Sequence, residues 1–318
     1  MLWAIIGDLD YFSKALLLPK STLAAGPCPL CRRKGSGPST WADFRENAPW
    51  RDLVWKAEDW RVWEGRSKSP LFDSDEFTPW LLSLDWMRCK YLGYDQLVYG
   101  SILALLVHFV MAHLGTPLEC LQILWRDIQE YYVQTSTPCR YRYLNKLSMF
   151  MRKAPQYPKL RGKAAEIKYF AGAMLHVWTK YASSKLHIHK TITTYLKLNL
   201  EVEELLILHR DKVCFPEKDA EQFQNLVTSM LLAMTQIADH FIEQKMFNIT
   251  QKAHFLQHIS LLAGCVNPRL SWCFMGEDMQ RRMSTLAKCC VQGQKAGQTI
   301  HKVIQRYRLA LHIQFTMR

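Results

Sequence analysis

Residues 26–31 read GPCPLC, and the two cysteines of this stretch, Cys28 and Cys31, are one half of a divided set of metal ligands. The other half, His254 and His258, lies more than two hundred positions later. Zinc prefers four Cys or His ligands in a tetrahedron, and a pair three or four positions apart supplies two ligands at little ordering cost. The prolines and the glycine favour a tight knuckle around the cysteines. Together the two pairs predict one structural Zn²⁺ ion bound by these four side chains. Each pair alone also has a simpler reading, as an incidental cysteine pair and as a partly buried helix face.

An acid lies at a similar distance from each pair. Asp8 ends an apolar run twenty residues before the cysteines, and Glu277 follows His258 by nineteen residues. Carboxylates suit the hard cations Mg²⁺ and Mn²⁺, whereas thiolates and imidazoles suit zinc, so the two kinds of site should not exchange metals. A simpler reading makes Asp8 a turn acid after a strand and Glu277 an acid in the first turn of a helix. Asp10 and Asp278 are the rival carboxylates.

The composition argues against a disordered protein, a disulfide-rich secreted protein and a membrane-spanning protein. The 318 residues are 49% apolar, which is enough for a full core and argues against disorder. Ten cysteines without framework spacing indicate free thiols in a reducing, intracellular compartment. The apolar stretch Leu97–Leu114 reaches the lower limit of a membrane span, but a buried core helix is the favoured reading and no membrane partner is expected.

The net charge of +13 is concentrated in two segments. Residues 137–168 contain nine Lys or Arg against one acid, a net of +8, and residues 279–318 contain eight and no acid, again +8. Clustered positive charge is expected for a polyanion partner, with a solvated basic face as the alternative. The predicted nucleic-acid contacts are Arg140, Arg142, Lys146, Arg152, Lys153, Arg281 and Arg282.

Periodicity predicts a mostly α protein with a small α/β part. Short strands are expected over Leu2–Asp8 and Phe77–Asp85, with a weaker third candidate at Trp41–Phe44. Helices are expected over 95–114, 117–134, 163–182, 188–211, 217–246, 250–263, 277–291 and 297–314. The five tryptophans from Trp41 to Trp63 are read as clamps of an irregular segment.

The order of these motifs resembles that of eukaryotic cut-and-paste DNA transposases of the CACTA and Transib type, including the immune-receptor recombinase derived from the latter. Residues 3–8 (WAIIGD) match the strand with the second acid of that family, and residues 272–278 (WCFMGED) match the glutamate helix. The cysteine and histidine pairs match its structural zinc site. Residues 85–88 (DWMR) look like its Asp-x-Met-His motif, with Arg88 where a histidine is usual.

The resemblance implies a partial RNase H-like core that is interrupted by a large helical insertion and stapled by a zinc knuckle. Residues 1–95 would form the core with the knuckle, 96–263 the insertion that ends in the paired-histidine helix, and 264–318 the return to the core with the glutamate helix and a basic C-terminal helix. It also implies a nuclear protein of transposable-element origin that binds DNA, with a homo-oligomer as a further expectation.

The resemblance further implies DNA strand cleavage and joining by two Mg²⁺ or Mn²⁺ ions held by Asp8 and Glu277. The first acid of the family would lie on an earlier strand, so this chain is expected to bind DNA without cutting it. Two readings remain beside this one. The protein could be a non-enzymatic, zinc-stapled basic helical module that binds DNA or RNA, or an interaction scaffold whose charge faces an acidic protein.

Overall fold

The computed structural model describes residues 4–18, 28–33, 36–37, 39–56, 58, 73–74, 76–152, 156–291 and 296–316. Within the last two helices, the side chains of 275–278, 280, 296–297 and 314 lie outside the description. The chain forms two compact units, Met1–Trp272 and Cys273–Arg318. The predicted fold class is confirmed in its coarse form, because the described chain is mostly helical with one two-stranded sheet.

The sheet consists of two short parallel strands, β1 (Ile5–Gly7) and β2 (Leu82–Leu84). Their register pairs Ile5 with Leu82 and Gly7 with Leu84. Each strand is followed at once by an aspartate that caps a helix. The carboxyl ends of parallel strands meet at one edge of a sheet, so the two aspartates, Asp8 and Asp85, come to the same edge.

The N-terminal unit is built mainly from seven described helices. These are α1 (Leu9–Lys14), α2 (Trp86–Val110), α3 (Pro117–Gln134), α4 (Ala164–Tyr181), α5 (His187–Leu208), α6 (Glu217–His240) and α7 (Gln251–Leu261). Single 3₁₀ turns lie at Pro49–Leu53, Pro79–Leu81, Ala112–Leu114, Leu147–Met149 and Pro268–Leu270. From α3 to α7, each helix packs against the next one along the chain.

Helix α2 is the core of this unit. By length and composition it would suffice to cross a membrane, but 83% of its most apolar window is buried within the fold. Its hydrogen-bonding pattern widens to π-helical at Lys90–Asp95 and Leu106–Val110. Gly100 lets another segment approach, because a Cβ there would lie 2.7 Å from the backbone of Lys159. The contact is fixed by the Leu160 amide, which donates to the Gln96 carbonyl at 2.8 Å.

The first π-helical segment carries a buried ionic network. Lys90 is fully buried, and its Nζ lies 2.8 Å from Asp95 Oδ2, 3.1 Å from Glu203 Oε1 and 2.5 Å from Asn199 Oδ1. The Tyr91 hydroxyl donates to Glu203 Oε2 at 2.8 Å. Burial by itself would lower the pKa of Lys90, but the charges of Asp95 and Glu203 outweigh it and raise that pKa. Lys90 is therefore a buried cation that neutralises acids on α2 and α5.

The structure corrects some predicted boundaries. The strand predicted at Trp41–Phe44 is wrong, because residues 41–42 form a turn closed by the Asp43 amide, which donates to the Thr40 carbonyl. The strand predicted over Phe77–Asp85 is confirmed over Leu82–Leu84, since Pro79 has no amide to donate and begins a 3₁₀ turn instead.

Two predicted helices also have different ends. The helix predicted from 95 begins at Trp86, where the Asp85 side chain accepts the Met87 amide at 2.9 Å. The helix predicted to 246 ends at His240, because the chain beyond it turns and reaches positive φ at Lys245.

The C-terminal unit is a pair of packed helices, α8 (Phe274–Val291) and α9 (Ala296–Thr316). Cys290 and Val303 are buried between them. The Arg306 guanidinium donates to the Cys289 carbonyl at 3.3 Å.

Replacing Lys90 by Met should destabilise the protein by about 3–5 kcal/mol at pH 7, because two buried carboxylates lose their counter-charge. Burial already raises the pKa of Asp95 to about 6. Protonation therefore relieves the penalty as the pH falls, and the loss in the free energy of unfolding should shrink between pH 7 and pH 5. Denaturant unfolding of the wild type and the variant at both pH values measures this loss in the free energy of unfolding. The control is Lys14→Met, at an exposed lysine paired with Asp10, which should change little.

Candidate metal centre

The cysteine pair lies on an irregular segment that is hydrogen-bonded to a part of the chain more than twenty residues later. Cys31 forms an isolated antiparallel bridge with Val54, and the Trp55 amide donates to the Leu30 carbonyl at 3.1 Å. The Trp55 indole donates to the Cys28 carbonyl at 3.2 Å, and the Leu30 amide points at Cys28 Sγ at 3.4 Å. These contacts aim both sulfur atoms inward, as the knuckle prediction requires.

The histidine pair lies on α7, one turn apart and on one face. His254 and His258 are both buried, and so is the Gln257 side chain between them. Gln257 Nε2 donates to the Phe44 carbonyl at 2.9 Å, which fastens α7 to the segment that follows the cysteines. The helix and the cysteine segment thus face each other across a buried interface.

The four ligand atoms lie close together, and the two sulfur-to-nitrogen distances match those of a tetrahedral site. Cys31 Sγ lies 3.3 Å from His254 Nε2, Cys28 Sγ lies 3.6 Å from His258 Nε2, and the two Nε2 atoms are 3.0 Å apart. All four atoms lie within 4.8 Å of one another. Bond lengths of zinc to sulfur and nitrogen place the vertices of such a tetrahedron roughly 3.3–3.8 Å apart. These side chains could therefore hold a metal ion such as zinc.

The protonation of the cluster suits a cation. Burial and the neighbouring His258 lower the pKa of His254 to about 4, so its imidazole is neutral and can donate a lone pair. Burial opposes ionisation of both thiols, but the hydrogen bond with Cys31 and the charge of His258 hold the pKa of Cys28 well below its usual range. Burial and the Cys28 thiolate raise the pKa of Cys31. The pair therefore shares one proton, which a bound divalent cation would displace.

Tryptophan side chains seal the site. The Trp50 ring meets the rings of His254 and His258 edge to face, with centroids 4.5 Å and 5.0 Å apart. The Trp50 indole donates to the Asp43 carbonyl at 2.7 Å, so the ring is fixed in place. The predicted role of the tryptophans as clamps is confirmed for Trp50 and Trp55. A closed, four-ligand, buried site of this kind is structural in character, since a catalytic metal needs an open position.

The first predicted catalytic acid, Asp8, lies at the carboxyl edge of the sheet. Its Oδ1 accepts the Tyr11 amide at 2.7 Å, and its Oδ2 lies 3.7 Å from Arg88 Nε. Arg88 Nε is also 4.0 Å from Asp85 Oδ2. The rival acid Asp10 is paired with Lys14 on the surface of α1. The edge therefore holds two aspartates with a guanidinium between them.

The second predicted acid, Glu277, belongs to α8 in the C-terminal unit, and so does its rival Asp278. Both side chains lie outside the described ones. The catalytic assignment of Glu277 thus stays a prediction.

The predicted nucleic-acid contacts are mostly on the surface. Arg140, Arg142 and Lys146 are exposed, Arg152 is half-buried, and Lys153 lies outside the described residues. Arg281 and Arg282 are exposed on α8. They line a groove of about 320 Å³ on the C-terminal unit, together with residues of α9.

Two further cations were not selected from the sequence. Lys159 and Lys252 line a small cavity beside Leu9, the residue after Asp8. Burial is the main cause that lowers the pKa of both lysines. The charges of Lys252 and Arg152 lower the pKa of Lys159 further. Arg88 likewise lowers the pKa of Lys252, whereas Cys89, Asp85 and Asp8 act in the opposite direction. Starting at the acidic edge, the positive groups are therefore neighbours in space in the order Arg88, Lys252, Lys159 and Arg152. No sequence signal joins them, because their proximity arises from the fold.

Comparisons with protein-family models, with curated proteins and with solved structures found no match to this chain.

The purified protein should contain about one zinc ion per chain. Cys28→Ser and His258→Ala should each lose that zinc and lower the melting temperature by similar amounts, because a broken tetrahedron loses most of its binding free energy either way. Elemental analysis and thermal unfolding measure the two effects. Cys139→Ser, at a half-buried cysteine outside the cluster, is the control and should keep its zinc. A metal-free chain that unfolds like the wild type would contradict the assignment.

Proposed function

We propose that this protein is a transposase-derived, zinc-stapled DNA-binding protein that does not itself cut DNA. The observation that carries the proposal is the convergence of Cys28 and Cys31 with His254 and His258, from pairs 223 and 230 positions apart, into one buried cluster. The resemblance to CACTA and Transib transposases implies this long-range pairing, which neither short motif implies by itself.

The acidic edge supports the same relation. An RNase H-like core would carry acids at the carboxyl ends of adjacent parallel strands, and β1 and β2 end in Asp8 and Asp85 in that arrangement. Helix α7 links this edge to the metal cluster, because it carries the two histidines and also Lys252. The Lys252 ammonium donates to the Arg88 carbonyl at 2.9 Å. The zinc knuckle would then hold α7 against the core.

The electrostatics favour DNA as the partner. Arg140, Arg142 and Lys146 are exposed, and beyond Arg152 the half-buried lysines Lys159 and Lys252 are held close together although their charges repel. Keeping like charges close is unfavourable unless an anion shares them, and a phosphate backbone supplies such anions at regular spacing. Tyr143 is 60% exposed among these residues and is available to stack on a base, whereas Tyr141 and Phe150 are core residues.

Arg88 argues against cleavage. Its guanidinium lies against both carboxylates of the edge, where a divalent cation would need their oxygen atoms. A positive side chain at this point reduces the net negative charge that would attract Mg²⁺ or Mn²⁺. The alternative function is a DNA- or RNA-binding module in which the acids are purely structural, and the same basic surface supports it.

Replacing Arg140, Arg142, Lys146 and Arg152 by Gln should weaken binding to duplex DNA. If all four contact phosphates, the slope of log affinity against log salt should fall by roughly 3–4, because each contact contributes about 0.9. Fluorescence anisotropy at several salt concentrations measures the slope. The matched control replaces Lys185, Lys190, Lys212 and Lys218, which are exposed elsewhere, with the same change in net charge. If the two quadruple variants weaken DNA binding equally, the basic surface acts only through the net charge of the protein.

The chain should bind DNA without nicking it in Mg²⁺ or Mn²⁺. Arg88→Ala should strengthen binding of Mn²⁺, because it leaves two carboxylates at the edge without the guanidinium. Electron paramagnetic resonance of Mn²⁺ measures this binding. In the double variant Arg88→Ala/Asp8→Asn the gain should disappear. If the wild-type chain cleaves DNA in a metal-dependent reaction and the Asp8→Ala variant cleaves it as well, the sheet edge is not the catalytic site.

A further inference from the structure

A cavity of about 640 Å³ opens on the N-terminal unit, away from the metal centre. Its walls are the C-terminal end of α2, the segment after the 3₁₀ turn Leu147–Met149, and the chain that follows α6. The side chains that matter here are His108, Phe109, Arg152, Gln244, Lys245 and Met246, and we name this cavity the basic pocket.

The lining of the basic pocket is cationic. Arg152 and Lys245 both line it, and no acid is among its described lining residues. Neither cation forms an ion pair with a residue that the structure describes. Two unpaired cations in one concave site concentrate positive potential, because low-dielectric walls focus the field into the cavity.

The backbone holds Lys245 there at a conformational cost. Lys245 has φ +51° and Phe247 has φ +59°, both in the left-handed region that disfavours residues other than glycine. The loop is nevertheless fixed, since the buried Phe247 amide donates to Ser101 Oγ at 2.9 Å and the Phe247 ring contacts Phe241. Such strain persists where the surrounding structure enforces it, and it is concentrated at functional positions.

The pocket also has an exposed aromatic ring and polar groups. Phe109 is 60% exposed although it belongs to the mostly buried helix α2, and it lines both this pocket and a neighbouring cavity of about 490 Å³. His108 Nε2 is buried without a hydrogen-bond partner among the described residues. Gln244 presents an amide that can both donate and accept.

We propose that the basic pocket binds a nucleoside monophosphate. The phosphate lies against Arg152 and Lys245, and the base stacks on Phe109. His108 Nε2 and the Gln244 amide face the polar edge of the base. A pocket of this volume is of the size that holds a small ligand, and its combination of two cations with an exposed aromatic ring matches the phosphate and the base of a nucleotide.

The nucleotide has two conceivable sources, a free mononucleotide or an unpaired nucleotide of a strand. The second source rests on the nucleic-acid binding proposed above. Pro158 lines the basic pocket, and its neighbour Lys159 lines the cavity beside Leu9. A strand that follows the positive groups from the acidic edge would therefore arrive at the pocket.

Calorimetric titration of the full chain with dAMP at low salt tests the proposal. We expect saturable binding that is tighter than that of deoxyadenosine or inorganic phosphate, since each of these fills one half of the pocket. Phe109→Ala should weaken it at least about fivefold, and Arg152→Gln should weaken it and reduce its salt dependence, since Lys245 remains. The controls are Val133→Ala and Lys218→Gln, at exposed residues outside the pocket. The proposal is overturned if dAMP does not bind, or if the Phe109 and Arg152 variants bind it as tightly as the wild type does.

A second measurement separates the two sources. If a single-stranded oligonucleotide carrying 2-aminopurine displaces dAMP and its fluorescence changes in the wild type but not in Phe109→Ala, the nucleotide belongs to a strand. If dAMP binds and the oligonucleotide does not compete, the ligand is a free nucleotide. Duplex binding with normal salt dependence but no dAMP binding defeats this proposal alone, whereas dAMP binding without duplex binding defeats the proposed function alone.

Discussion

The contact between the cysteine knuckle and α7 is the constraint on which the rest of the N-terminal unit depends. Cys28 and Cys31 lie on a segment with little regular structure, so few backbone hydrogen bonds hold it. A bound metal ion would close a loop of more than two hundred residues, and clips that close long loops remove the most entropy from the unfolded chain. Trp50 keeps water from the cluster and so strengthens its electrostatics.

The same helix connects this constraint to the acidic edge. α7 presents its histidines to the knuckle and Lys252 to the π-helical part of α2, where the lysine donates to the Arg88 and Leu92 carbonyls. A shift of α7 would therefore disturb both Arg88 and the buried network around Lys90. For this reason we expect that substitution of the metal-binding residues also disturbs the structure at the sheet edge and of the surface next to it.

Charge has two different roles in the N-terminal unit. Lys90 is enclosed with its acidic partners and contributes to a defined core, at the risk that any broken pair leaves an uncompensated charge. Arg152, Lys159 and Lys252 instead stand close to one another and to cavities. The first arrangement is complete within the protein, whereas the second is a group of neighbouring, partly exposed cations, which is why we propose an anionic partner for it.

The sequence by itself determined the helical class, the position of most helices and the four residues that could hold a metal ion, because apolar periodicity and the spacing of Cys and His pairs are local signals. It also determined that acids follow the strands. Only the tertiary structure decided that Arg88 lies between Asp8 and Asp85, that Lys90 is buried, and that an exposed Phe109 borders a cationic cavity. Those features join residues that are distant in the chain, and their energies arise from burial and proximity, which no local pattern encodes.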